Sequence, residues 1–277
     1  MLVKIRYFVR FHRCVNLDNP QTLNEKILYL SLRTDTAEWS RLTDKKKVSD
    51  YVREKGLEHI LIKNYGYWQN VEDVDFEKLP DSFVMKTTHG SGDVMIVKDK
   101  SKITKECIVA YFSPFLQKRY GELEGGKHYM RIEPGLIAEE LMINDEDSQK
   151  YSSSIIDYKI WCFNGKPYYI WVCCNRNKQG TDVMTYDVEW RAHPEFSVFN
   201  SEYRRGNIIP QPLNLEEMLN VATILSSGFP CVRVDLYNLG GKIYFGEMTF
   251  TSFGGLMNFY TTEFLIHTGS LIDLPQK

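Results

Sequence analysis

At 277 residues the chain is long for one core and suggests one or two closely packed domains. A hydrophobic fraction of 43% with 25% charged residues is ordinary for a soluble globular protein, and a formal charge of −2 supplies no global basic field for nucleic acid. No apolar run approaches the roughly 18 residues of a membrane span, and six cysteines without Cys-x-x-Cys spacing read as reduced, mostly buried thiols.

The first residues are apolar and basic, but Lys4, Arg6, Arg10 and Arg13 interrupt any signal-peptide core, which points to the cytoplasm. They read as a first helix packed on the core; the alternative is a basic amphipathic helix in peripheral contact with a membrane surface. Asn19-Pro20-Gln21 turns into a helix in which Thr22 is the N-cap and Glu25 completes a capping box ahead of Ile27, Leu28, Leu30 and Leu32. A second helix is expected over 43–55, capped by Thr43 or Asp44 and stopped by Gly56. An acidic connector over 72–80 ends in a proline. Strands are expected at 82–86 and 94–98, joined by a polar loop over 87–93 and followed by a helix over 104–120. Further strands fall at 136–142 and 155–163, and Asn164-Gly165 is a hairpin turn into a strand over 168–174. Residues 175–213, rich in Asn, Arg and Pro, read as a long surface loop. A short helix over 215–226 precedes a second hairpin over 231–250. There is no internal repeat and no regular βαβ alternation, so α+β is favoured over a doubly wound sheet.

The second hairpin carries unusual polar cargo. Strand alternation puts Arg233 and Asp235 on one face of its first strand, and Glu247 and Thr249 on one face of its second. With an odd loop such as 239–241, Arg233 falls opposite Glu247 and Asp235 lies one diagonal step away, roughly 7–8 Å between Cα atoms. Two carboxylates at that separation can share a divalent ion. The alternative is an ion pair on a solvated face. On an inner face, two carboxylates and an arginine are costly unless paired or metal-bound.

Four other places carry candidate chemistry. The loop Thr87-Thr88-His89-Gly90-Ser91-Gly92 can wrap backbone N–H groups around phosphate oxygens, with Lys86 before it in reach of phosphates or an adenine edge; alone, the motif is weak, because Gly-Ser-Gly in a hairpin is more often an ordinary turn. Glu139-Glu140-Leu141-Met142 ends a strand, where a carboxylate suits an adenine amino group; the alternative is a solvated acidic pair. Lys159 shares a strand face with Asp157 and either pairs with it or reaches a nucleotide phosphate. Between 175 and 212, Arg176, Arg191, His193, Arg204 and Arg205 are interleaved with Tyr186, Trp190 and Tyr203. Guanidinium forks and flat rings suit an anionic sugar, unless the arginines simply pair with Glu189, Glu195 and Glu202.

In this order the elements resemble the ATP-grasp superfamily, and more narrowly the teichuronopeptide-biosynthesis (TupA-like) ATP-grasp family. The residues that carry the closer likeness are 19–27, Asp44-Lys45, 76–80, 83–92, Asp157-Tyr158-Lys159, 163–167, 186–190, 233–237 and 244–250. The resemblance spans about residues 15 to 260. It implies two α+β lobes whose antiparallel sheets sandwich MgATP, with an N-terminal helical region over 1–80, a small nucleotide lobe over 81–142 and a large lobe over 143–277. By the same resemblance Lys86, His89, Gly90, Ser91, Gly92 and Lys159 would contact ATP, with Glu139, Glu140, Leu141 and Met142 as the adenine hinge. Asp235 and Glu247 would hold Mg2+, and Arg233 and Lys159 would act in catalysis. Thr251, Ser252 and Gly254, with Arg176 and Arg205, would meet the second substrate. Three features depart from the family pattern: Thr249 stands where Asn is usual, Lys45, Lys46 and Lys47 all lie near the place of the second phosphate lysine, and Asp93 follows the phosphate loop.

The function this implies is ATP-dependent carboxylate–amine ligation through an acyl-phosphate, on small-molecule substrates of which one is a sugar acid or glycan of a surface polysaccharide or its precursor. The alternatives are a kinase of a sugar precursor, a glycosyltransferase or other polysaccharide-processing enzyme, for which Asp73-Val74-Asp75 and Asp145-Glu146-Asp147 make no convincing nucleotide-sugar signature, and an inactive scaffold.

Overall fold

The computed structural model describes residues 2–121 and 126–275; Met1, at the head of the expected first helix, lies outside them. In chain order, α1 (Leu2–Phe11), α2 (Leu23–Arg33), α3 (Ala37–Thr43) and α4 (Val48–Glu54) precede β1 (Asn64–Trp68), β2 (Phe83–Thr87), β3 (Val94–Val97), α5 (Lys105–Leu116) and β4 (Leu136–Glu139). Then follow α6 (Glu146–Gln149), β5 (Asp157–Phe163), β6 (Lys166–Asn177), β7 (Gly180–Asp187), β8 (Tyr203–Arg205), α7 (Leu215–Ser226), β9 (Cys231–Leu239), β10 (Lys242–Thr249) and α8 (Thr262–Ser270). The chain forms two compact units, Thr36–Met142 and Met1–Asp35 with Ile143–Lys277. The separate N-terminal region expected over 1–80 is therefore divided between them.

The Thr36–Met142 unit holds an antiparallel sheet in the order β1-β4-β2-β3. Along β2, Phe83 and Met85 face a core shared with Ile108 and Phe112 of α5, and with Val71, Val74 and Leu136. Alternation turns Val84 and Lys86 to the other face. The helix expected over 43–55 starts only at Val48, because the Asp44 carboxylate accepts from the backbone N–H groups of Lys46 (2.9 Å) and Lys47 (3.4 Å) and caps an intervening turn. Gly56, at φ +74°, ends it.

The other unit is built on a six-stranded sheet, β10-β9-β5-β6-β7-β8, antiparallel except for the parallel β7–β8 pair. The long loop expected over 175–213 is contradicted here. β6 runs on to Asn177, and β7 returns from Gly180 (φ +133°), almost wholly buried through Val183, Met184, Thr185 and Tyr186. On one face Val232, Val234 and Leu236 of β9 are buried, and α7 packs on β9, β5 and β6 with Met218, Val221 and Leu225. The opposite face carries Arg233 and Asp235. At the start of α2 the Thr22–Glu25 capping box forms. Within the first turn, the buried Asn24 side chain donates to the Met257 carbonyl at 2.8 Å and accepts from the Met257 N–H at 3.1 Å, tying α2 to the segment after β10. Cys162, Cys173, Cys174 and Cys231 are buried free thiols, and Cys14 and Cys107 are exposed ones.

Candidate active site

β9 and β10 meet at a two-residue turn, Gly240-Gly241, with φ of +58° and +78°. The odd loop expected over 239–241 is therefore absent, and an even turn alone would put Glu247 on the face opposite Asp235. A bulge corrects this. The register shifts between Phe245 and Glu247, leaving Gly246 as the extra residue, so that Asp235 pairs with Glu247 and Arg233 with Thr249. The two carboxylates are thus direct cross-strand partners rather than diagonal ones. A Cβ on Gly246 would lie 2.9 Å from the Asp235 carbonyl oxygen, which explains a glycine at the bulge.

β5, the next strand, sets Lys159 opposite Asp235. The Lys159 ammonium touches the Asp235 carboxylate and lies 2.7 Å from Asp157 Oδ2, so it pairs with both acids. The Arg233 fork grips Asp235 at 2.7 and 2.8 Å and also donates to Ser252 Oγ (2.8 Å), Thr249 Oγ1 (3.2 Å) and Glu247 Oε1 (3.3 Å). Arg176 extends the chain of charges, with Nη2 3.0 Å from Asp157 Oδ2. Exposure is graded across the cluster: the Asp235 side chain is 2% exposed and Glu247 45%. Burial acts to lower the Lys159 ammonium, but Asp157 and Asp235 outweigh it and hold its pKa above the ordinary value; burial and Asp235 stand in the same balance at Arg233, with the same upward result. Both groups stay cationic, which suits them to neutralising phosphate charge and not to acting as bases. Asp157, read from the sequence only as a partner for Lys159, is a full member of the cluster.

In the Thr36–Met142 unit, β2–β4 register pairs Val84 with Glu139 and Lys86 with Ile137, so Lys86 and Glu139 are diagonal neighbours on the face away from α5. Their charged ends meet at 2.6 Å. Glu140 is exposed and its N–H donates to the Lys63 carbonyl at 2.9 Å, while Leu141 and Met142 are half-buried. The loop after Lys86 is more firmly held than its composition suggests. The Thr88 N–H donates to Gly135 (2.9 Å) and Lys45 Nζ to the Gly90 carbonyl (2.5 Å). Among the three lysines, Lys45 is thus the one that reaches this loop; Lys46 lies over the Tyr67 ring and Lys47 beside Asp44. Asp93 turns inward, accepting from Thr87 Oγ1 (3.1 Å) and the Tyr120 hydroxyl. His89 is buried against the edge of the Tyr120 ring, centroids 5.4 Å apart, so its side chain is not presented to solvent; the exposed part of the loop is Ser91 and Gly92.

The residues expected at a second-substrate site are dispersed. Thr251, Ser252 and Gly254 lie in a tight turn after β10 where Phe253, Gly254 and Gly255 all have positive φ. That turn joins the charged cluster through Ser252. Arg176 joins it through Asp157, whereas Arg205 is exposed at the end of β8. Arg191 pairs with Asp187 and Glu189, Arg204 with Asp182, and His193 with Asp187 and Glu195, so much of the segment's charge is satisfied locally.

The fit to a metal rests on the donor set. Asp235 accepts three N–H groups on its two oxygens, leaving about one of roughly four lone-pair positions, and Glu247 is the accessible carboxylate beside it. Among the described residues no group of three or more Asp, Glu, His or Cys side chains forms a cage. Two hard oxygen ligands suit magnesium, which completes its shell with water and substrate phosphate.

The lysine–glutamate pair on an antiparallel sheet in one unit, and in the other a sheet bearing Arg-x-Asp opposite Glu, are arrangements that the ATP-grasp resemblance implies. An L-amino acid ligase from Bacillus licheniformis is similar in structure, at 15% identity over 92% of this chain and 55% of that one, with a TM-score of 0.51. A D-alanine–D-alanine ligase from Bacillus anthracis is matched at 17% identity over 83% and 62% of the two chains (TM-score 0.46), and the ATP-grasp ligase PsnB, complexed with a minimal precursor, Mg and ADP, at 11% over 90% and 65% (TM-score 0.42). This chain spans less than two thirds of the length of each. No curated protein matches it. The TupA-like ATP-grasp family model matches residues 25–272, and the chain belongs to that family.

Proposed function

We propose that the protein is an ATP-dependent carboxylate–amine ligase. A substrate carboxylate takes the γ-phosphoryl group of ATP, and an amine then displaces phosphate to give the amide. The observation that carries the reading is the buried set Arg233, Asp235, Lys159 and Glu247 on one sheet face: it holds positive charge in fixed positions with no nucleophile or base among its cations. Phosphoryl transfer asks for that combination of positioning and charge neutralisation. Asp235, Glu247 and, secondarily, the Thr249 hydroxyl would hold magnesium, which when bound neutralises phosphate oxygens. Lys159 and Arg233 would then turn toward the transferring group. Lys86, Glu139, the 140–142 hinge and the Ser91-Gly92 backbone are assigned to the nucleotide, the buried His89 ring contributing packing rather than a phosphate contact.

We assign the acceptor to a sugar acid or an amino-acid-bearing glycan of surface-polysaccharide assembly, as the family resemblance implies. Arg176, Ser252 and Gly254 are its nearest candidate contacts, since the first two bond directly to the charged cluster. Purified protein with ATP, magnesium, a panel of uronic acids and a panel of amino acids should release ADP only when both substrates are present, with an amide appearing in equal amount. ADP release with a phosphorylated sugar and no need for an amine would replace the ligase by a kinase. No ATP turnover with any pair would remove the reading.

A further inference from the structure

α1 is not wholly used by the fold. Val3 and Tyr7 are buried and fasten the helix to its unit. Leu2, Ile5, Phe8 and Val9 are 44–67% exposed. At 100° per residue these four fall within a 120° arc, a continuous apolar stripe pointing away from the buried side. Lys4 borders the stripe on one flank, Arg6 and Arg10 on the other, and Arg13 follows just past the helix end. From Leu2 to Leu17 there is no acidic residue, although the whole chain is net negative.

Isolated exposed hydrophobics are normal, but four on one stripe between basic flanks are not a general property of surfaces. Arg10 Nη2 donates to the neutral side-chain oxygen of Asn258 at 2.8 Å. The basic flanks, in a segment that carries no acidic residue of its own, select the partner's sign. A protein groove would need acidic rims, whereas an anionic bilayer offers an apolar interior beneath a negative surface. Among the described residues no helix is long and apolar enough to cross a membrane.

The geometry points to α1 as an interfacial anchor: the stripe Leu2, Ile5, Phe8 and Val9 enters the headgroup region of an anionic lipid surface, and Lys4, Arg6 and Arg10 on its flanks meet lipid phosphates, while Arg13 stays on the Tyr7 hydroxyl at 3.1 Å. This function is independent of the ligase reading, because it needs neither nucleotide nor acceptor. It would hold the catalytic unit at a membrane face, where lipid-linked substrates are found.

The test is co-sedimentation of the full chain with phosphatidylcholine vesicles, with and without phosphatidylglycerol. Binding is expected to the anionic vesicles, to weaken as salt rises through a Debye length of about 10 Å, and to fall about fivefold on Lys4→Gln. Ile5→Gln/Val9→Gln should abolish it while leaving the thermal unfolding midpoint unchanged, because both side chains lie outside the core. Hydrogen exchange of α1 in the unaltered protein should slow when anionic vesicles are added. Equal binding to neutral vesicles, binding that survives the double substitution, or no binding at all overturns the proposal. So does a dimer in solution that the double substitution dissolves, since that would assign the stripe to a second copy.

Discussion

Replacing Arg233 with methionine tests whether the charged cluster holds together as described. The side chain is 7% exposed and makes five hydrogen bonds, two of them to an Asp235 carboxylate that is 2% exposed. Methionine fills most of the volume, so the chief effect is electrostatic. Asp235 is left with Lys159 as its cation, and that ammonium is already shared with Asp157. Removing one partner from a buried pair costs about 3–5 kcal/mol. Glu247→Gln is the contrast: its side chain is 45% exposed, its bond to Arg233 is 3.3 Å, and the amide keeps an acceptor, so the loss should stay below about 1 kcal/mol. Urea unfolding at neutral pH measures both. Losing Arg233 leaves the Asp235 carboxyl without its strongest reason to ionise, so its folded pKa rises further above the unfolded one. The penalty is full at high pH and fades as pH falls through the raised value, so the Arg233→Met deficit should narrow toward acid. A loss below about 1 kcal/mol, or equal losses for the two variants, would refute the argument.

Three further outcomes follow from single contacts. Asn24→Ala strands both backbone groups of Met257 and should lower stability by about 1–3 kcal/mol, read as a drop in unfolding midpoint. Lys86→Met should weaken magnesium–ATP binding in calorimetry by about tenfold or more, having removed the charged end that meets Glu139. His128 is fully buried, and burial pushes its imidazole down to about 3, with Arg131 adding to the effect. Below the unfolded value of roughly 6.5 the unfolded state gains a proton that the fold refuses, so stability falls as pH drops. His128→Phe should therefore shrink the difference between urea midpoints at pH 7 and pH 5.

What was legible in the chain was what local chemistry decides. The Thr22–Glu25 capping box, the Asn164-Gly165 turn and the α+β class depend on neighbours a few residues apart, and all three are present. Where long-range contacts decide, local reading failed. β7 was hidden because it is buried on both faces and so lacks a period-two pattern, and because Asn, Lys and Gln at its entry resemble a loop. His89 looks like a phosphate ligand beside two glycines, yet Tyr120, thirty-one residues away, covers it. Along the chain Asp157 has only its strand neighbour Lys159 as a visible partner; its bond to Arg176 comes from the pairing of β5 with β6.

The bulge at Gly246 is the sharpest case, since parity of a hairpin cannot be counted from its turn when an extra residue lies inside a strand. Gly240-Gly241 predicts an even register that separates Asp235 from Glu247, and the single residue Gly246 reverses that outcome. Gly246→Val should show which of the two sets the site. Its Cβ would stand 2.9 Å from the Asp235 carbonyl oxygen and 3.3 Å from the Tyr237 ring, contacts that cost about 1–3 kcal/mol of strain if the bulge stays. If the strand instead slips by one residue to relieve them, Glu247 and Thr249 pass to the opposite face and leave Asp235 without its cross-strand partner. Either way the oxygen pair is displaced, and magnesium-dependent ATP binding should be lost. Gly240→Ala provides the control: it suffers the left-handed penalty of roughly 1–2 kcal/mol. Its Cβ would meet nothing within 4 Å, so the cluster should be untouched. Magnesium-dependent binding, measured by titration calorimetry, should survive Gly240→Ala and fail in Gly246→Val. Retention of binding in both variants would mean that the bulge does not position the carboxylates, and the metal assignment would fall with it.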